Sequence, residues 1–424
     1  MKEKLLQYIW QFQYFNTQQM ALTNGEELRI IHPGKTNQNQ GPDFLDAKIK
    51  LNDTVWAGNI ELHIRSSDWN LHKHSKDKNY NNIILHVVWF HDIKTTDING
   101  SELCTLEIHN RVSKILLRTY ETLMNSYNFI PCEQQSIIPD HLKIVSWKTR
   151  LVAERLEKKA AVIFTLLNQN KYHWEETMWW LISKNLGYSV NGEQFEKMAR
   201  SVPLSLLAKH RCNQEQLEAL LFGQSGLLEG RFKEEYPLML QREYHFLKTK
   251  YGLQEVNGSL FFLRMRPASF PTIRIAQLAA LVQASHHLFS QVINAGTVFE
   301  IKKLFSISIN SYWDDHYRFD EKSIHCKKKI GDQMISSVII NTLIPVVFAY
   351  GMFHDEQSYK DKAIKWLEKM SPENNFIIKG FKQLKFPTNS AFDSQAYLQL
   401  KNEYCNQKRC LECAIGNHIL SEPR

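Results

Sequence analysis

The feature that most constrains this chain is a change of hydrophobic period near residue 130. Before it, the apolar positions fall into short runs: Leu28-Arg29-Ile30-Ile31, 47–51, 55–64, 83–90 and 103–108. Several of these alternate apolar and polar residues, as a strand with one buried face requires. Asn52-Asp53 and Asn99-Gly100 supply turns between runs. One helix, 4–15, precedes the strands. After about residue 112 the spacing turns helical: 147–168, 173–186, two helices across 190–222 punctuated by Pro203, then 236–251, 274–295, 333–350 and 358–370, stopped by Ser371-Pro372. The expected fold class is α+β, with a mixed sheet domain over 1–130 and a mostly helical domain over 131–424.

The chain has 424 residues, 43% of them hydrophobic and 23% charged. That balance supports buried cores and excludes disorder, collagen and coiled coil as descriptions of the whole. The formal net charge of +8 is a mild basic excess, which admits DNA or RNA as a partner without requiring one. Seven cysteines, three of them crowded together, do not read as a secreted disulfide scaffold. With no clean signal segment at the start, a reducing cytoplasm is expected. The run 334–353 (MISSVIINTLIPVVFAYGMF) imitates a membrane span. Its serines, Asn341 and Pro345 point instead to a buried core helix broken near the proline, and no membrane partner is expected.

The chemistry concentrates in Gly41-Pro42-Asp43-Phe44 and Gly58-Asn59-Ile60-Glu61-Leu62-His63. Asp43 opens one strand. Glu61 and His63 lie two apart on the next and therefore share a face. A hairpin between the strands brings Asp43 beside Glu61. Two carboxylates and a third polar group make a site suited to Mg²⁺ or Mn²⁺, ions that can activate water on a phosphodiester. Five of the 17 histidines, His63, His72, His74, His86 and His91, follow within this region. His72 and His74 are candidate acid–base groups. His86, inside an apolar strand, reads as a hydrogen-bonded core residue.

This layout resembles the PD-(D/E)XK nuclease superfamily, in which a Pro-Asp pair at a strand start is followed by an acidic residue, a spacer and a lysine on the neighbouring strand. Pro42-Asp43 and Glu61-Leu62 match, and His63 stands where the lysine would be. The resemblance implies a restriction-endonuclease-like sheet, a metal-dependent nuclease with Asp43, Glu61, His63, His72 and His74 as its catalytic set, and Asp43 and Glu61 as metal ligands. Glu3 on the first helix is a further acidic candidate. A neutral imidazole cannot supply the lysine's fixed positive charge, so a non-catalytic module that binds nucleic acid or protein is the alternative. A third reading is a metal-dependent hydrolase of some small substrate, with a closed pocket around the histidines.

Over nearly its whole length the chain also resembles a bacterial family known as domain of unknown function 2851. Gly41-Pro42-Asp43-Phe44, Asn59-Ile60-Glu61-Leu62-His63, Ser67-Asp68-Trp69, Leu85-His86-Val87-Val88, Leu220-Leu221-Phe222-Gly223-Gln224, Arg266-Pro267-Ala268-Ser269-Phe270-Pro271 and Cys410-Leu411-Glu412-Cys413-Ala414-Ile415-Gly416 carry that resemblance. It implies no activity.

Two further features are candidate sites. Cys405, Cys410 and Cys413 place three thiols on one short segment with a C-x2-C step, a metal-ligand pattern that either His418 or Cys132 could complete. Zinc and an iron–sulfur cluster fit equally, and free packed thiols are the alternative. A four-cysteine site closed by Cys132 would resemble the clusters that clamp the ends of some nucleases of the superfamily, although their spacings differ. Arg264, Arg266 and Arg274, set among prolines and Phe270, suit a nucleic-acid-binding loop or a helix entry paired with carboxylates. Lys143, Lys148, Arg150, Arg155, Lys158 and Lys159 make another helix basic, either as a solvated face or as a nucleic-acid track.

Overall fold

A computed structural model describes residues 1–37, 39–135, 141–254, 256 and 258–421. The protein is α+β, with a curled mixed sheet at the N-terminal end followed by a helical region. It forms two compact units, 1–147 together with 401–424, and 148–400. The terminal segment thus belongs with the sheet, and the division falls at residue 147 where the change of period suggested 130.

In the first unit, helix α1 (Glu3–Gln11) precedes strands β1 (Leu28–His32), β2 (Lys35–Thr36), β3 (Phe44–Leu51), β4 (Thr54–Arg65), β5 (Ile83–Phe90) and β6 (Thr105–Glu107). The sheet order is β1-β3-β4-β5-β6, with β2 paired to β3. Strands β1, β3 and β4 are antiparallel neighbours, while β4-β5 and β5-β6 are parallel. The β3–β4 hairpin turns at Asn52, whose φ of 50° lies in the left-handed region that asparagine tolerates. A parallel step needs a crossover. Residues 66–82 provide it, as helix α2 (Asp68–Leu71) and two short 3-10 turns.

The β4–β5 register pairs Glu61 with His86 and Leu62 with Val87. Alternation then sorts the faces. Ile60, Leu62, Leu85 and Val87 enter the main core with Leu5, Ile9 and Trp10 of α1 and Leu116 and Leu123 of helix α3 (Lys114–Asn125). Glu61, His63 and His86 face the other way, beneath the crossover.

The second unit is helical apart from a ribbon of His316–Arg318 and Glu321–Lys322. The apolar run is helical from Asp332 to Phe353, with a π-turn over Ile339–Leu343 just before Pro345. That turn absorbs the hydrogen bond proline cannot make. By length and composition this helix could cross a bilayer, but most of it is buried in the protein. The basic helix His141–Gln169 is neither a solvated face nor a track along its whole length. Lys148 pairs with Asp393 at 2.6 Å, the Arg155 Nε–H donates to Gln395 Oε1 at 2.7 Å, and Lys159 donates to Asn341 Oδ1 at 3.0 Å. Glu373 accepts from both Asn341 and Gln395, closing a buried polar ladder.

Candidate metal centre

The turn before β3 and the middle of β4 lock the two carboxylates together. The Asp43 backbone N–H donates to Glu61 Oε2 at 3.0 Å, and the Leu62 N–H donates to Asp43 Oδ2 at 3.1 Å. Gln7 of α1 donates to Asp43 Oδ1 at 2.8 Å. Among the described residues, no lysine or arginine forms an ion pair with either carboxylate. Burial is the main cause that raises the pKa of both well above the usual carboxylate range, and the Asp43 charge raises Glu61 further. Glu3 lies close enough to add to the repulsion on both, and its own carboxyl is raised by burial.

Three imidazoles meet this pair. His63 Nε2 and His74 Nε2 lie 3.8 Å and 3.5 Å from Glu61 Oε1, and His72 Nδ1 lies 3.1 Å from His63 Nε2. One ring nitrogen from each of His63, His72 and His74 falls within 4.8 Å of the others, a span that can hold a metal ion. His74 Nε2 is buried and makes no hydrogen bond. Burial holds His63 down to about 2 and His74 to about 4, so both rings are neutral at physiological pH and keep a lone pair available.

A second ring orients the first. His63 Nδ1 lies 2.9 Å from His86 Nε2, and His86 Nδ1 lies 3.4 Å from Thr95 Oγ1. Burial lowers His86 to about 3. If His63 Nε2 offers its lone pair to an ion, its proton sits on Nδ1 and is donated to His86. The His86 proton then faces Thr95. One set of tautomers satisfies the chain, as the groups behind a metal ligand usually do.

The crossover builds the remaining wall. Lys73 adopts a left-handed φ of 60° between His72 and His74, and their rings sit 5.4 Å apart. Trp69, 1% exposed, meets the edges of His63 and His74, and its indole N–H donates to the Thr96 carbonyl. The Tyr80 ring lies 3.9 Å from that of His74. Asp92 ties the crossover to the end of β5 by accepting from the Ser66 and Ser67 hydroxyls. His72 stays exposed, so the centre opens to solvent on that side.

The structure therefore brings Asp43, Glu61, His63, His72 and His74 together. Sequence reasoning missed Gln7, Trp69 and Tyr80 as parts of the site. Trp69 carried a signal, a lone tryptophan three and five residues before two histidines. Gln7 carried none, because its role depends on how α1 packs. The arginines divide. Arg264 and Arg266 are exposed, but Arg274 is buried in the helix Pro271–Ala284, where its guanidinium donates to Gln277 and Tyr188. Its Nη1 and Nη2 donors are thus used inside the protein, its Nε makes no hydrogen bond, and its burial sets it apart from the two exposed arginines. Cys132, Cys405, Cys410 and Cys413 all lie in the first unit, and none is in a disulfide.

Compared with known protein families, residues 3–376 fit the family described as "Protein of unknown function (DUF2851)". No curated protein and no solved structure matches the chain.

Proposed function

The chain belongs to the DUF2851 family of proteins of unknown function, and from that premise we propose that its carboxylate–histidine pocket is a divalent-metal hydrolase centre acting on nucleic-acid phosphodiesters. The observation that carries this reading is the convergence of a buried and a half-buried carboxylate, neither of them paired with a lysine or arginine among the described residues, with three imidazole nitrogens within 4.8 Å of one another. Carboxylates concentrated out of water, with nitrogen donors beside them, either take up a proton or bind a cation, and the ligand set beside this pair favours the cation.

The donor set refines the ion. Mg²⁺ prefers oxygen ligands at near-octahedral geometry, whereas imidazole suits Mn²⁺, Fe²⁺ or Zn²⁺. When bound, such an ion supplies a Lewis acid that activates water and offsets charge on the phosphodiester. Glu61, His63, His72 and His74 would hold it. Asp43, fixed by Gln7 and the Leu62 N–H, orients the attacking water. His63 and His74 remain uncharged and act as ligands, not as acid–base groups or as a substitute for lysine. His72 is the exposed one of the three imidazoles and leaves the ion's open side facing solvent. Exposed Lys73, Lys76 and Lys78 on the crossover supply positive charge for phosphate contact.

The element order supports a nuclease of the PD-(D/E)XK type. A helix precedes three antiparallel strands and a crossover to a parallel strand, with the acidic residues at the β3 start and within β4. The test is cleavage of labelled single- and double-stranded DNA and RNA with Mg²⁺, Mn²⁺ or Zn²⁺. Glu61→Gln and Asp43→Ala are expected to lower the rate by about 10³-fold. Binding without cutting in wild type and variants would favour the nucleic-acid-binding module. Hydrolysis of a small phosphodiester alone would favour the small-substrate hydrolase.

A further inference from the structure

The second concentration of ligating groups lies at the other end of the chain. Lys401 donates to the Phe129 carbonyl and Lys408 to the Met124 carbonyl, which holds the segment 401–413 against the turn that follows α3. Cys132 sits in that turn, whose Gln135 N–H donates to the Cys132 carbonyl. Cys405 ends a π-turn, and Cys410 and Cys413 bracket the entry to the last helix, Ala414–Ser421. The C-x2-C step closes with the Cys413 N–H donating to the Cys410 carbonyl at 3.4 Å.

Gly416 makes this closure possible. A Cβ there would lie 2.2 Å from the Cys410 carbonyl oxygen, so no other residue permits the helix to start so close to Cys410. The same entry aims donors at sulfur, since the backbone N–H groups of Ile415 and Gly416 both reach Cys413. Donors of this kind bind a thiolate more strongly than a thiol, whose sulfur is only a weak acceptor. The turn that carries Cys132 is the one to which Lys401 and Lys408 hold the segment of the other three cysteines, and Cys132 packs against the same core as Cys410, so Cys132 is the thiol placed to join them. Cys410 packs in the core of the sheet unit, and Cys132 lies against that core.

We propose that Cys132, Cys405, Cys410 and Cys413 form a four-thiolate centre for a thiophilic metal, which fastens the C-terminal segment to the sheet unit. The occupant is either an iron–sulfur cluster or a single zinc ion. A lone zinc at ~2.3 Å from each sulfur needs the sulfurs about 3.8 Å apart. Among the described residues, however, His63, His72 and His74 are the group whose ligand atoms lie within 4.8 Å of one another. The cysteines are not among the groups that meet that span, so a single zinc would draw their sulfurs inward, and a cluster, which holds its thiolates farther apart, asks for less movement.

The test is metal analysis of the full-length chain purified anaerobically. Iron with acid-labile sulfide identifies a cluster; zinc identifies a single ion. The carboxylate–histidine site could also carry zinc, so the diagnostic readout is sulfur-to-metal charge-transfer absorption, native for a cluster or after cobalt exchange for zinc. That absorption is expected to survive Glu61→Gln and Cys212→Ser and to disappear in Cys413→Ser and Cys132→Ser. Loss of metal is also expected to expose the segment after residue 400 to protease. If the wild-type chain carries neither metal and shows no thiolate absorption after reconstitution with iron and sulfide, zinc or cobalt, the proposal is overturned. That outcome is read on the wild-type chain alone and needs no cysteine variant to fold. A silent cysteine site would leave the hydrolase reading untouched, and loss of cleavage in Glu61→Gln would leave the cysteine site untouched.

Discussion

Two buried polar networks, one in each unit, differ in a way that separates structure from function. In the helical unit, Lys148 meets Asp393, Arg155 meets Gln395, Lys159 meets Asn341, and Glu373 accepts from two neighbours. Burial lowers Lys159 to about 7, and Glu373 pulls the other way. Charges of both signs alternate, so the network is satisfied from within the chain. In the sheet unit, Asp43, Glu61 and Glu3 crowd together among neutral imidazoles, and burial raises each carboxylate. Such a set is neutralised by taking up a proton or by a counter-ion from outside the chain. Both networks resist solvent, but one is complete in itself and the other is built around a cation.

The sharpest way to break this contrast is to remove one carboxylate from each. Asp393→Ala leaves the nearly buried Lys148 ammonium unpaired, and breaking a buried pair in this way costs about 3–5 kcal/mol. Asp43→Asn in metal-free protein removes repulsion and is expected to leave the denaturation midpoint unchanged or raised. Urea titrations of the full-length variants measure both. If Asp393→Ala proves neutral while Asp43→Asn destabilises, the assignment of the two networks is reversed.

Much of this contrast was legible in the sequence on one side only. The Asp43, Glu61 and His63 spacing exposed the sheet site because β-strand alternation is a local rule, and a two-residue hairpin fixes which strands meet. The histidines at 72 and 74 could be flagged but not placed, since their convergence depends on a left-handed turn at Lys73. The α+β class and the buried apolar helix followed from periodicity. The helical network was misread, because Lys148, Arg155 and Lys159 look like a solvated face when their partners lie 182 to 245 residues away. Arg274 misled for the same reason: its neighbour Tyr188 is 86 residues distant. Long-range pairing inside a helical bundle leaves no periodic trace.

Proton linkage provides a second, smaller test. The folded-state pKa values of Asp43 and Glu61 are raised above their unfolded values. Their stabilising contribution is therefore present at low pH and is lost as pH rises through the raised values. For His63, His74 and His86 the shifts run downward, to about 2, 4 and 3. Their contribution is present above the ordinary histidine value of about 6.5 and is lost on acidification. Metal-free protein is expected to be most stable near neutrality, with an alkaline limb that Glu61→Gln flattens. A bound divalent ion should also flatten that limb, so the metal-induced rise in melting temperature should grow from pH 6 to pH 8. A metal-induced shift that stays constant or shrinks across this range would count against carboxylate ligation.

The smallest expected effect separates ligand from support. His86 is fully buried and meets the site through His63 Nδ1 at 2.9 Å and the Trp69 ring, with Thr95 behind it. Replacing it by leucine keeps the strand and most of the volume but removes the acceptor for the His63 proton. The His63 ring then loses the bond that fixes its tautomer and its angle. Groups standing behind a metal ligand typically contribute about 10–100-fold to affinity. His86→Leu is expected to weaken Mn²⁺ or Zn²⁺ binding by that factor in calorimetry, while the cleavage rate at saturating metal stays within a few-fold of wild type. His63→Leu, by contrast, should lower both affinity and the saturated rate. Equal losses in both parameters for His86→Leu would make His86 part of the catalytic constellation, and the division between a self-contained core network and a site built around an ion would then run one residue deeper into the sheet.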